Sequence, residues 1–231
     1  METIPRRQRN ARGQGGRLTG DIVSGAVALI DRTGSDEAVT LRAVARQIGI
    51  AAPSIYAHFP DREAIIAAAV ARIFGELTAA IAAGIDRAGD DPVGRLIAGC
   101  EAYVRFGVDH PARYGVLFVG RRAQDDETGS PVPPGPPVPP GPAVPPGPAG
   151  PPAGAVGAQA FALLVTAIEA CVAAGESASR DVAADATAVW VALHGTVSLR
   201  TSLSSRFPWP DQVGFVRGLV LTLARITSER A

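Results

Sequence analysis

Residues 40–60 read TLRAVARQIGIAAPSIYAHFP, and the spacing of apolar residues in this stretch decides the fold. Leu41, Val44, Ala45 and Ile48 recur at i, i+3, i+4 and i+7, the period of one buried helix face. Thr40 stands where an N-cap hydroxyl is wanted, and Gly49 where a helix stops in a left-handed turn. Small Ala45 permits close approach of a second helix, and Ile50 plugs the angle between the two. Pro53 suits the first helical position of the next element, with Ala52 at its cap. Ile55 and Phe59, four apart, point inward. That leaves Ala51, Ala52, Ser54, Tyr56, Ala57 and His58 around the start and outer side of a very short second helix. Small residues with a hydroxyl, a phenol and an imidazole suit a helix entering a DNA major groove. Hydrophobic spacing alone fits an ordinary helical hairpin equally well.

Outward from this stretch the helical period continues on both sides. Ile22, Val23, Ala26, Val27 and Ile30 form an earlier stripe that stops near Gly34. From Asp61, the residues Ile65, Ile66, Ala69, Val70, Ile73, Phe74, Leu77 and Ile81 predict a longer helix ending about Gly84. Further stripes occupy about 92–109, 155–174, 181–204 and 211–228, and no alternating strand pattern interrupts them. The expected class is all-α.

Composition is uneven along the chain. The 231 residues carry 22 basic and 22 acidic side chains, and every basic one is Arg. Residues 1–17 hold Arg6, Arg7, Arg9, Arg12 and Arg17 against Glu2 alone. They read as a disordered basic arm, either merely solvated or touching DNA phosphates. Residues 1–75 have ten Arg and seven acids, a net of +3, so 76–231 carries −3. A second break lies at 129–154, where PVPPGP occurs twice and 131–152 holds thirteen of the twenty prolines. Missing backbone donors and a fixed φ predict a polyproline II insert there, as a spacer or a ligand for a proline-recognising partner.

Several classes are excluded by what the sequence lacks. Two distant cysteines, Cys100 and Cys171, with no CxxC, argue against a disulfide framework or a zinc site. The charged N-terminus has no apolar run behind it, and no uninterrupted apolar run reaches a membrane span, so a cytoplasmic protein without a membrane partner is expected. There is no GxSxG, Walker loop, GxGxxG or HExxH, so neither an enzyme, a bound metal nor a cofactor is expected.

The run GDIVSGAVALIDRTGSDEAVTLRAVARQIGIAAPSIYAHFPDREAIIAAAV closely resembles the DNA-binding domain of the TetR/AcrR family of bacterial transcriptional regulators. The resemblance covers about residues 18–75. It implies a three-helix helix-turn-helix domain joined by a connecting helix to a C-terminal helical ligand-sensing and dimerisation domain over 76–231. By position it implies that Thr40 and Arg42 approach DNA phosphates and that Ala52, Pro53 and Ser54 lie at base edges. Tyr56 and His58 would contact phosphate or groove wall, unless Tyr56 partly packs and His58 is simply solvated. Arg62 occupies the place of a phosphate-contacting Lys, with a bidentate fork added.

Two further runs, CEAYVRFGVDHPARYGVLF at 100–118 and VWVALHGTVSLR at 189–200, resemble TetR-like C-terminal domains named for a Trp…His-Gly signature. The resemblance implies that the last two helices pair with their copies in a four-helix dimer interface, through Val189, Leu193, Val197, Phe215, Leu219 and Leu223. Trp190 and His194 share a helix face and stand either in an effector cavity or in a hydrogen-bonded core. Tyr103, His110, Tyr114 and Cys100 are open in the same way. Ala- and Val-rich helices favour a hydrophobic or amphipathic effector. The expected function is a homodimeric, sequence-specific transcriptional regulator, a repressor released from double-stranded operator DNA by a small molecule. The alternatives are a helical scaffold using the proline repeat and a helical enzyme.

Overall fold

The computed structural model describes residues 15–118, 153–203 and 207–227. The expected basic arm lies outside these residues except for its last three, and the proline repeat at 131–152 lies wholly outside them. Among the described residues the chain is helical, with one isolated bridge between Ser177 and Ile226 and no strand.

Helix α1, Gly15–Thr33, buries Ile22, Ala26, Val27, Leu29 and Ile30, and the chain leaves it through Gly34 at φ 76°. Helix α2, Leu41–Ile48, starts on Thr40, whose hydroxyl accepts from Ala43 N at 3.1 Å. It stops at Gly49, φ 70°, whose N–H donates to the Ala45 and Arg46 carbonyls. Gly25 sets the spacing of α1 and α2, because a Cβ there would lie 2.6 Å from Ile48 Cγ2. Gly25 thus permits the close approach of these two helices.

After the turn comes a 3-10 segment, Ala52–Ser54, capped at Ala51, one residue earlier than expected. Helix α3, Arg62–Arg87, follows from the N-cap Asp61, which accepts from Ala64 N at 2.7 Å. Helix α4, Pro92–Asp109, packs on α3 so tightly that a Cβ on Gly84 would meet the Ala98 carbonyl at 2.8 Å. A separate short helix, α5, Pro111–Phe118, breaks from α4 at His110. Pro111 has no N–H for α4 to use, and it keeps the residue before it out of helical geometry.

Helices α6 (Ala153–Ala173), α7 (Val182–Ser202) and α8 (Gln212–Leu223) complete the body against α3 and α4. Asp91, Asp181 and Asp211 cap α4, α7 and α8 as Asp61 caps α3. Each such cap contributes about 1 kcal/mol. Helices α3 and α7 are long and apolar enough, by composition, to cross a membrane. Both also pack on neighbouring helices, α3 on α1, α4, α5 and α6, and α7 on α4, α6 and α8.

One expectation about α7 is corrected. Val189, Leu193 and Val197 are buried within the protomer, so they cannot form an outer face. The outer face carries Val191, 56% exposed, and Leu199, 51% exposed. The apolar stripe on this helix belongs to two surfaces, which is why a single period misassigned it. On α8, Phe215, Leu219 and Leu223 are half-buried and line a shallow groove with Gly214 and Gly218.

Candidate nucleic-acid interface and effector cavity

The turn between α2 and α3 projects a small polar face. Ile55 and Phe59 are buried, so the residues between and before them turn outward. Ala51, Pro53, Ser54 and Ala57 are exposed, and Tyr56 is 55% exposed. Ser54 N donates to the Ala51 carbonyl and Phe59 N to the Ile55 carbonyl, which fixes the segment despite its length. Thr40 and Arg42, at the start of α2, are exposed on the chain that leads into it.

Three of the expected contact residues have other ties. Ala52 is half-buried against the core. His58 Nδ1 lies 3.0 Å from Thr19 Oγ1 and so pins the segment to α1. Arg62 departs furthest from expectation. Its Nε donates to the Val39 carbonyl at 2.8 Å and its Nη2 to the Asp36 carbonyl at 2.7 Å. The fork expected to grip phosphate here holds the loop that delivers α2, while Nη1 faces Glu63 at 3.6 Å.

Behind the turn, α3, α4, α6 and α7 line an open-mouthed cavity of about 710 Å³. Phe74, Leu77 and Ile81 of α3 line one side, and Phe161 and Leu164 of α6 another. Leu96, Cys100 and Tyr103 of α4 and Trp190 of α7 complete the ring, with Phe118 at the end of α5. The volume lies within the range of pockets for small organic molecules.

Of the five expected pocket residues, Tyr103 and Trp190 line the cavity. Tyr114 and His194 stand one layer behind. The Tyr103 and Tyr114 hydroxyls are 2.8 Å apart, and the Tyr114 hydroxyl is 2.7 Å from His194 Nδ1. Burial pushes the Tyr103 phenol up to about 12, against the pull of hydrogen bonds to Tyr114 and Trp190. Burial also raises Tyr114, reinforced by Tyr103. Both are therefore neutral hydrogen-bonding groups at physiological pH. His110 is corrected outright: it is exposed at the end of α4, its ring edge-on to Phe106 with centroids 5.0 Å apart.

Cys100 lines the cavity as a protonated thiol, pushed up to about 12 by burial, with Glu101 and Cys171 adding to the shift. Most of the wall was not foreseen. Phe74, Leu77 and Leu96 sit on ordinary helical stripes, and nothing in such a stripe distinguishes a residue that meets a partner from one that faces a gap.

A third arrangement joins the two regions. Arg113 of α5 reaches Asp31 of α1 and Glu76 of α3, each at 2.7 Å. Glu76 also accepts from Arg72 Nε at 3.1 Å, and Arg72 Nη1 donates to Ser24 Oγ of α1 at 2.5 Å. Among the described residues no cluster of His, Cys, Asp or Glu is disposed to hold a metal ion.

Residues 22–69 match the family model of bacterial regulatory proteins of the tetR family. Residues 96–219 match that of a tetracyclin repressor-like C-terminal domain. An uncharacterized HTH-type transcriptional regulator of Mycobacterium tuberculosis is 35% identical over 97 residues, 42% of this chain and 43% of the relative. The match thus spans under half the length of that protein. Solved structures share the fold over nearly the whole chain. One, a protein of unknown function from Rhodococcus sp. RHA1, superposes with a TM-score of 0.69 at 21% identity, covering 94% of this chain and 98% of the other. Another, the TetR family transcriptional regulator PfmR of Thermus thermophilus, gives 0.55 at 16% identity, covering 90% and 99%.

Proposed function

Because the chain belongs to the TetR family of bacterial regulatory proteins, we propose that it is a dimeric, sequence-specific transcriptional regulator. Its α2–turn segment reads operator DNA, and an effector in the cavity weakens that binding. The observation that carries this reading is the course of α3. The helix begins at Arg62, which holds the loop ahead of α2, and runs unbroken to Phe74, Leu77, Ile81 and Ile85 in the cavity wall. One rigid element therefore touches both the DNA-reading end and the effector site. An effector that binds better to the DNA-incompatible arrangement shifts the population away from DNA, by no more than its difference in affinity.

The chain acts in the cytoplasm as a regulator rather than an enzyme, with double-stranded operator DNA, a second copy of itself and a hydrophobic or amphipathic small molecule as partners. Val191 and Leu199 of α7 and Val213 of α8, all at least half exposed, support pairing through these two helices. A twofold dimer places two reading segments on successive major-groove faces of a near-palindromic site. Selection of genomic fragments by the purified full chain, followed by mobility shift with Tyr56→Ala and Arg42→Ala, tests the reading. Loss of affinity for the selected sites in both variants is expected, and unchanged affinity in both overturns the contact assignment.

A further inference from the structure

The class of molecule that fits the cavity is narrowed by two properties of its walls. The first is charge. None of the nineteen described lining residues is Arg, Asp, Glu or His. The titratable ones, Cys100 and Tyr103, are both pushed up to about 12 by burial. An ionised ligand would lose hydration here and meet no counter-charge from these residues.

The second property is where polarity remains. Thr187 Oγ1 donates to the Ala183 carbonyl at 2.7 Å. The Tyr103 hydroxyl is different, because it is the cavity end of the series Tyr103, Tyr114 and His194. The Tyr114 hydroxyl has one proton, so it donates to one neighbour and accepts from the other. If it donates to His194 Nδ1, Tyr103 donates to Tyr114 and presents only an acceptor to the cavity. If Nδ1 carries hydrogen, the direction reverses and Tyr103 presents its own proton. In either direction the Tyr103 hydroxyl, which also accepts from Trp190, keeps one further hydrogen-bonding position beside a largely apolar cavity, and a ligand hydroxyl satisfies it as donor or as acceptor.

We propose that the cavity takes an uncharged, largely hydrocarbon molecule ending in a single hydroxyl group, which seats on the Tyr103 hydroxyl. This rests on the effector reading of the cavity. The polar end fixes the orientation of the molecule, and its apolar body lies against Phe74, Leu77, Phe161 and Leu164. Trp190 lines the same end of the cavity, where its N–H donates to the Tyr103 hydroxyl.

Calorimetric titration of the full chain with three matched probes tests the assignment: 4-butylphenol, butylbenzene and 4-butylbenzoate at pH 7. The phenol is expected to bind about tenfold tighter than butylbenzene, the value of one good buried hydrogen bond. The benzoate is expected to bind more weakly than butylbenzene. Tyr103→Phe should bring the phenol-to-butylbenzene ratio to near one. A phenol no tighter than butylbenzene on the unaltered protein overturns the proposal, whether or not the variant folds. So does a benzoate that binds tightest, or a ratio that survives Tyr103→Phe. Failure of all three probes to bind overturns the effector reading itself, whereas binding without discrimination leaves that reading standing and removes only the proposal.

Discussion

Arg113 holds Asp31 with two prongs: Nε donates to Oδ1 and Nη2 to Oδ2, both at 2.7 Å, tying α5 to α1 across 82 residues of chain. The two hydrogen bonds outweigh partial burial and hold the Asp31 carboxyl below its usual value. A carboxyl depressed in the folded state stabilises the protein above its unfolded pKa, and that contribution is lost as pH falls through the folded one. Asp31→Asn should therefore lower the melting temperature at pH 7, and its deficit should shrink as pH drops below about 4. Arg113→Ala should cost about 1 kcal/mol by urea denaturation, since the pair is only partly shielded from water. A deficit for Asp31→Asn that is the same at pH 3 and pH 7 would show that the pair is not what stabilises this junction.

Arg42 and Arg62 should separate cleanly. Arg42→Ala is expected to leave the melting temperature unchanged and to reduce the salt slope of operator binding by about one. Arg62→Ala removes two donors from the Asp36 and Val39 carbonyls and should destabilise the protein by about 2 kcal/mol, weakening DNA binding along with it. Thermal unfolding beside mobility shift across a salt series distinguishes them. Identical behaviour of the two variants would contradict the structural post given to Arg62.

Gly25 offers a test of how closely α1 and α2 must pack. Gly25→Ala drives a methyl group into Ile48 and should cost about 1–3 kcal/mol despite the better helix propensity of alanine. Combining it with Ile48→Ala should recover part of that loss, so the double mutant is more stable than the sum of the singles predicts. Strict additivity in chemical denaturation would mean the two side chains do not meet.

The two cysteines should be silent in the native state. Burial pushes Cys100 up to about 12 and Cys171 up to about 11, with neighbouring acidic residues adding to both. Thiolate is the reactive form, so iodoacetamide at pH 8 should label neither, and both should label in urea. Mass spectrometry of the intact chain counts the adducts. Rapid native labelling of either thiol would contradict its burial.

The apolar periods, with the Thr40 cap and Gly, Pro or Asp at the ends of the stripes, made nearly every helix legible, because each stripe faces a core. Helix α5 lacked both signals and was hidden behind the His110–Pro111 break. The outward-facing turn at 51–58 was legible from Gly49, Ile55 and Phe59. The post of Arg62 was not, since its acceptors are backbone carbonyls at 36 and 39 with no signature of their own. Tyr103 and Trp190 stood out among apolar neighbours and do line the cavity. His110 stood out equally and does not, because the proline beside it ends α4 and turns the ring to solvent. Val189, Leu193 and Val197 show the same limit from the other side. A stripe reveals that a face is covered, but whether the cover is the chain itself or its copy is decided by tertiary packing.

Helix α3 has one further consequence, for modularity. At 1.5 Å per residue its 26 residues span about 39 Å, with no proline or other break at which to exchange one half for another. Joining this cavity to a different reading head means splicing inside a continuous helix. A junction one residue too long or too short turns the two halves by about 100° relative to each other. The packing at both ends would then be out of phase. Recombinants of this protein are therefore confined to junctions that preserve helical register, and the spacing between Arg62 and Phe74 is as much a part of the device as either residue.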